Sequence, residues 1–212
     1  MHPASCILHP ASCILHPASC VFDSLASGYD LGMLPLEAVV LRRMRRRAFP
    51  RVAGRVLELG VGTGVNLPLY PPEATVVAID HSAPMLWRAL RRPARAPVRA
   101  VQADVHHLPF RDGAFDAVTG SLVFCSVAEP GRALAEVHRV LRPGGRLVLL
   151  EHTRGRGLGA WLTDRLHPLW FAWNGVCHLN RETDRAVHQA GFRLLREETR
   201  ILGIFRLLEG MK

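Results

Sequence analysis

From residue 23 onward, the chain alternates between two periodicities. Short apolar runs rich in β-branched residues read as strands: RVLELG (55–60), ATVVAID (74–80), VRAVQAD (98–104), FDAVTGSLVF (115–124), GRLVLLEH (145–152), FRLLREETR (192–200) and IFRLLEG (204–210). Between them, apolar residues three and four apart predict helices over 63–69, 83–92, 129–141, 157–173 and 181–190. Upstream, Leu36, Val40, Leu41 and Met44 fall at helical spacing among the arginines of RRMRRR (42–47), which predicts a helix with one buried stripe and a solvated basic face. The inner strands are apolar at consecutive positions, as in strands covered on both faces, so the alternation predicts an α/β fold with a parallel sheet between two helical layers. In such a sheet, ligands lie beyond the carboxyl ends of the strands, near the point where strand order reverses.

The first 22 residues follow a different rule. HPASCIL at 2–8 is repeated at 9–15 and again, as HPASCVF, at 16–22. Pro3, Pro10 and Pro17 defeat a coiled-coil reading of this seven-residue period, and no charged segment marks a signal peptide. The recurrent His2, Cys6, His9, Cys13, His16 and Cys20 lack the short Cys-to-Cys spacing of structural zinc, so no metal is expected. The expected organisation is a disordered low-complexity leader over 1–22, reading like a tandem DNA repeat ahead of a start near Val21, followed by one domain over 23–212.

Composition narrows the picture in three ways. An apolar content of 49% with no apolar run of membrane-spanning length argues for a soluble domain without an integral membrane segment. The net charge is +9, but of 27 basic residues only Lys212 is a lysine, a bias of codon usage as much as of polyanion binding. Only Cys125 and Cys177 lie within the domain, so a reducing, cytoplasmic setting is expected and both read as small buried fillers.

The strand ends carry the chemistry. The first gives Glu58-Leu59-Gly60-Val61-Gly62-Thr63-Gly64, the second ends in Asp80 and the third in Asp104. Glycines allow a ligand to approach the backbone, and a carboxylate after the second strand can accept both hydroxyls of a ribose. Singly these are a tight turn and helix caps; in this order they describe a nucleoside site. The nicotinamide fingerprint G-x-G-x-x-G fits poorly, because the third glycine comes one residue early.

E-x-G-x-G-x-G, the two aspartates, EVHRVLRPGG (136–145) and FDSLASGYD (22–30) together resemble class I S-adenosylmethionine-dependent methyltransferases, in the branch of ubiquinone- and menaquinone-type enzymes. SLVFCSV (121–127), EH (151–152) and NGVCHLNRET (174–183) resemble stretches of the small thiol methyltransferases of animal endoplasmic reticulum membranes. The resemblance implies a Rossmann-like, doubly wound seven-stranded sheet, mostly parallel with an antiparallel final strand. It implies S-adenosyl-L-methionine as cofactor: Gly60, Gly62 and Gly64 at its methionine end, Glu58 toward the ammonium, Asp80 on the ribose, Met85, Asp104 and Val105 around the adenine, Ser121 and Leu122 beside the sulfonium, and Tyr29 closing the site. Met85 reads equally as helix core.

The expected reaction is in-line methyl transfer to a small, lipophilic acceptor. The protein then aligns two reactants and excludes water, and a general base is optional. His152, ending the fifth strand, is the candidate catalytic residue, with a packing histidine as the plainer reading. Trp170, Asn180 and Arg181 are candidate acceptor contacts; Trp161, Trp170 and Trp173 form either a cover over the acceptor or a satellite core. Peripheral membrane contact fits such an acceptor. An RNA methyltransferase or nucleic-acid-binding protein using the arginine run, and a nicotinamide-dependent oxidoreductase, are the alternatives.

Overall fold

Seven strands lie side by side in one sheet: β1 (Gly54–Leu59), β2 (Ala74–Asp80), β3 (Val98–Gln102), β4 (Phe115–Ser121), β5 (Leu141–His152), β6 (Arg193–Arg200) and β7 (Phe205–Met211). The computed structural model describes residues 17–212. Strand order is β3-β2-β1-β4-β5-β7-β6. β1 to β5 run parallel, and β7 runs antiparallel to both its neighbours, so the last strand in sequence inserts between β5 and β6. Order reverses between β1 and β4, and that switch point positions the site. The outer strand β6 carries alternating charge, Arg193, Arg196, Glu197, Glu198 and Arg200, which discourages pairing with another chain.

Successive strand residues feed opposite layers. Val56, Val76 and Ala78 join a cluster with Leu41, Met44 and Ala48 from the N-terminal helical run and with Leu86 and Ala89 of α4 (Ala83–Ala89). Leu57, Leu59 and Ile79 point the other way, onto Ala133, Leu134 and Val137 of α5 (Pro130–Val140) and Val187 of α7 (Thr183–Gln189). The N-terminal run comprises α1 (Pro17–Leu25), α2 (Tyr29–Leu36) and α3 (Arg42–Ala48), the last two joined through one wide turn at Glu37–Leu41. Its apolar stripe is as expected: Val40, Leu41 and Met44 are buried and Leu36 packs beside them. Its basic face is not wholly solvated. Arg45 is buried.

Three expectations need correction. No α-helix forms over 63–69; turns lead to a single tight turn at Leu67–Leu69, because Pro68, Pro71 and Pro72 remove backbone donors and the Asn66 side chain is drawn inward. The expected leader boundary at 22 falls inside α1, which begins at Pro17, and Asp23 accepts a hydrogen bond from Ser82, the cap of α4. The first two copies lie outside the described residues. Finally, the helix α6 (Leu158–Asn174) buries only Gly159 and Thr163, leaving Trp161, Trp170 and Trp173 exposed rather than filling a satellite core.

The glycine turn is locked to α4 by Gly64, whose φ is +81° and where a Cβ would sit 2.8 Å from the Ala89 backbone. Gly64→Ala therefore combines backbone strain with overpacking, and should destabilise by about 1–3 kcal/mol. At this chain size that is a fall in Tm of roughly 2–4 °C per kcal/mol. An unchanged thermal melt would show that the turn relaxes without α4.

Candidate active site

A cavity of about 300 Å³ opens at the carboxyl ends of β1, β2, β3 and β4. One end is walled by Gly60, Gly62, Asp80 and Met85, and the other by Val127, Phe171, Val176 and His178. Its volume lies at the lower end of the small-molecule range, roughly 300–1,000 Å³.

The turn after β1 divides its labour among three glycines. A Cβ on Gly60 would meet Val123 at 2.8 Å, so Gly60 is needed for close packing across to the β4 loop. A Cβ on Gly62, at φ +55°, would meet nothing nearer than a carbonyl at 4.0 Å; it would point into the open space the turn presents. Gly64 is not a wall of the cavity, and belongs to the α4 contact. Asp80 sits beside the turn, buried, with Oδ2 accepting the Gly62 N–H at 2.9 Å and Oδ1 the Ser82 N–H at 2.9 Å. A carboxylate has about four acceptor positions, so capacity remains for a further donor such as a ribose hydroxyl. Burial pushes its pKa upward, against the opposing pull of His81 and the backbone N–H groups.

Glu58 and Ser121 are tied together from behind. Arg45 donates to Asn66 Oδ1 at 2.6 Å, Ser121 Oγ at 2.7 Å and Glu37 Oε1 at 2.9 Å. Asn66 donates to Glu58 Oε1 at 2.7 Å and Ser121 Oγ at 3.0 Å. Glu58 is fully buried and is not a cavity wall; burial raises its pKa to about 7 despite Asn66, Tyr70 and Arg45. Ser121 and Leu122 do line the cavity, and Leu122 takes the unusual φ of +57°. Such strain in a residue other than glycine persists where its surroundings fix it.

Met85, Asp104, Val105 and Tyr29 also border the cavity, and Met85 is simultaneously buried core. Asp104 accepts from the His106 N–H at 2.9 Å and pairs with His106 Nδ1 at 2.6 Å. His106 Nε2 accepts the Glu129 N–H, so the proton resides on Nδ1 and the Asp104 carboxylate is oriented by it. Tyr29 starts a helix clamped over the glycine turn: Thr63 donates to Asp30 at 2.6 Å, and Arg92 pairs with Asp30 and donates to the Thr63 carbonyl at 2.6 Å.

On the acceptor side, the residues differ from those expected. His152 is buried behind the cavity wall, with Nε2 2.9 Å from Cys177 Sγ. Cys125 and burial push the Cys177 thiol far above its usual range. Trp170, Asn180 and Arg181 do not line the cavity either. Trp170 lies on an outer groove with Leu166, Leu169, Trp173 and Leu179, while Arg181 donates to the Val127 carbonyl at 2.8 Å and so braces the wall. Helical phase explains the exchange: α6 turns Phe171 inward and its neighbour Trp170 outward. Three imidazoles line the cavity, those of His81, His106 and His178; His178 is the one packed on Phe171, its ring 4.5 Å from that ring, with its pKa lowered first by burial and then by Arg181 and His167. Sequence reading missed His178, Phe171, Asn66 and Glu151. Glu151 is fully buried and accepts the N–H groups of Val123 at 2.9 Å and Phe124 at 3.2 Å, fixing the loop after β4. Only its place in the EH pair offered a signal.

A glycine turn after β1, a buried carboxylate ending β2 and a sheet of this order define the class I S-adenosylmethionine-dependent methyltransferase architecture. Residues 57–149 match the model of a methyltransferase domain. It is 44% identical over 140 residues to a demethylmenaquinone methyltransferase of Thermus thermophilus, covering 61% of this chain and 63% of that one. It is 37% identical over 146 residues to a thiol S-methyltransferase of Rattus norvegicus, covering 65% and 59%. The chain thus spans about three fifths of the length of these relatives. An S-adenosylmethionine-dependent methyltransferase from Thermotoga maritima shares the fold, with a TM-score of 0.71 at 21% identity over 91% of this chain and 99% of that one. The bare backbone at Gly62 and the remaining acceptor capacity of Asp80 fit the cofactor of this class, S-adenosyl-L-methionine.

Glu58 and Glu151 both titrate near 7, raised by burial from about 4.5. A carboxyl group whose folded pKa exceeds its unfolded value binds more protons in the native state, so its stabilisation is full below about 4.5 and lost as pH rises through 7. Glu58→Gln and Glu151→Gln should each flatten the fall in Tm between pH 5 and 7. A pH–Tm profile identical to wild type in both variants would show that neither carboxyl is protonated in the folded state.

Proposed function

We propose that the chain transfers the methyl group of S-adenosyl-L-methionine to a small, apolar acceptor by in-line displacement. The observation that carries the reading is one cavity with a bare glycine turn and buried carboxylate at one end and an apolar wall with the His178 imidazole stacked on Phe171 at the other. When bound, the cofactor supplies a methyl group already activated on a sulfonium. Asp80 holds the ribose hydroxyls, Met85, Asp104 and Val105 border the adenine, and Gly60 and Gly62 back the methionine end. Ser121 and Leu122 flank the sulfonium, and Tyr29 covers it. Glu58 acts through Asn66 and Ser121 rather than by contact.

His178 takes the acceptor role first expected of His152. Its lowered pKa keeps the ring neutral at pH 7, able to accept a proton from a thiol, phenol or acidic carbon. His152 positions the Cys177–His178 segment from behind. The relatives' names, a quinone-type and a thiol methyltransferase, support an acceptor of modest size. The outer face of α6, with Leu169 at 74% and Trp173 at 79% exposure, favours a lipophilic acceptor met in peripheral contact with a membrane surface. Among the described residues no helix is long and apolar enough to cross a membrane. The unpaired thiols of Cys125 and Cys177 accord with a cytoplasmic setting. The RNA reading is weakened because two of the arginines in the run are committed: Arg45 to Glu37 and Asn66, and Arg47 to Glu198.

Methyl-labelled cofactor incubated with quinol precursors, alkyl thiols, phospholipid amines and RNA, followed by mass spectrometry, tests the activity; label on RNA alone would overturn it. Asp80→Ala should weaken cofactor binding by roughly 1.5–3 kcal/mol, about tenfold to more than a hundredfold, and wild-type affinity by calorimetry would remove Asp80 from the site. His178→Ala should lower turnover about 10²–10⁴-fold with cofactor affinity nearly intact. As a base, His178 requires the rate to rise with pH through an inflection below 6.5 and then level off. A flat profile in wild type would make it a positioner only.

A further inference from the structure

Cys125, His152 and Cys177 come from three separate segments: the loop after β4, the last residue of β5 and the loop after α6. Their two sulfur atoms and a ring nitrogen all lie within 4.8 Å of one another. Each segment is held in place by bonds outside the cluster. Glu151 fixes the Val123 and Phe124 N–H groups just before Cys125, Asn174 Oδ1 accepts the N–H groups of Val176 at 3.0 Å and Cys177 at 2.6 Å, and the His178 N–H reaches the Cys125 carbonyl at 2.9 Å. The convergence is therefore built by the backbone.

We propose that Cys125, His152 and Cys177 form a site for a soft divalent cation of the zinc class, with a fourth position that takes an exogenous thiolate. Tetrahedral zinc, with bonds of about 2.3 Å to sulfur and about 2.0–2.1 Å to nitrogen, spaces its ligand atoms about 3.5–3.8 Å apart, inside the observed envelope once the 2.9 Å His152–Cys177 pair opens slightly. Two thiolates and an imidazole are a soft donor set, poorly suited to magnesium or calcium. Two thiolates also neutralise a divalent charge, so the filled site is tolerable in a buried place. Three protein ligands rather than four is the pattern of sites that keep a position open. That position is near the acceptor: Leu122, Val123 and Ser126 around Cys125, and Val176 and His178 beside Cys177, are all cavity walls. A thiol entering there would lose its proton to solvent and be held as thiolate. The use of that thiolate as methyl acceptor rests on the function proposed above; the binding does not.

The test uses the full chain with Cys6, Cys13 and Cys20 changed to serine, so that the thiols outside the cluster are silent. The protein is stripped by a chelator under a phosphine reductant and titrated with cobalt(II). One equivalent should give sulfur-to-cobalt charge transfer and intense tetrahedral visible bands, bleached by zinc. 2-Mercaptoethanol should then shift and intensify the charge-transfer band as a third sulfur enters. Cys125→Ser and Cys177→Ser should each cost more than about a hundredfold in zinc affinity, since even changes beyond the ligand shell cost about 10–100-fold. The spectrum of the intact cluster needs no substitution there, so misfolding of a variant cannot decide the outcome. Weak octahedral bands, or a Cys125–Cys177 disulfide in anaerobically purified protein, would overturn the site. A spectrum indifferent to 2-mercaptoethanol would overturn the open position. Methyl transfer absent from a protein that shows these bands would instead sink the functional reading and leave the metal site standing.

Discussion

Arg45 reaches through the first layer of the fold to the point where strand order reverses, and most of the site's geometry depends on what it holds there. Its guanidinium bridges Glu37, Asn66 and Ser121, and Asn66 carries the chain of hydrogen bonds on to Glu58. β1 and β4 are adjacent parallel strands whose chains must part at this point, one into the glycine turn and the other into the strained Leu122 loop. Apolar packing alone would leave the polar ends of these strands unsatisfied in a dry interior. Breaking a buried, hydrogen-bonded charge pair typically costs about 3–5 kcal/mol, comparable with much of a domain's net stability. The network therefore joins two tasks, closing the sheet's switch point and holding Ser121 at the cavity. A second buried carboxylate does the equivalent one strand over, where Glu151 secures the N–H groups that follow Leu122.

This division explains what could be read from the amino-acid sequence. The sheet was legible because its strands are apolar at consecutive positions, and β2 was placed to the residue. The placement of the glycine turn and Asp80 at the strand ends was legible because it is built from local motifs: a turn needs glycines wherever they occur, and Asp80 ends β2. Local pattern failed where long-range bonding outweighed it. Three prolines and the inward pull of Glu58 on Asn66 dissolved the helix expected over 63–69. Arg45 looks like its solvated neighbours in RRMRRR, and nothing nearby in sequence reveals that its partners lie 21 and 76 residues away.

The acceptor end shows the same limit more sharply. His152, Cys125 and Cys177 are scattered over three segments with no spacing that signals a cluster, and their proximity exists only once β5 and the loop after α6 are folded. Trp170 and Phe171 are adjacent, equally aromatic and equally eligible as acceptor contacts. Which one turns inward is set by the phase of a helix whose hydrophobic residues run nearly all the way round it, so the sequence carries little phase information. That Asp80 lies on the cavity as expected and Trp170 does not has one cause, the range over which each position is specified.

That difference in range also separates the rigidity of the two ends. The cofactor wall is cross-braced by backbone hydrogen bonds, by ion pairs from Arg45 and Arg92, and by a glycine contact that leaves no room for a methyl group. The acceptor wall is hung from one long helix with only two buried residues, braced by Arg181 on Val127 and by Asn174 on the loop that follows. Under the proposed function, one donor is used with a choice among acceptors, and the selectivity belongs in the part that can be changed without disturbing the sheet. α6 and its loop meet that condition, since their contacts to the core are few and mostly polar. A cluster of soft ligands placed on that wall would confine selection to acceptors bearing sulfur, by a chemical preference rather than by shape, and would do so without any change to the cofactor end.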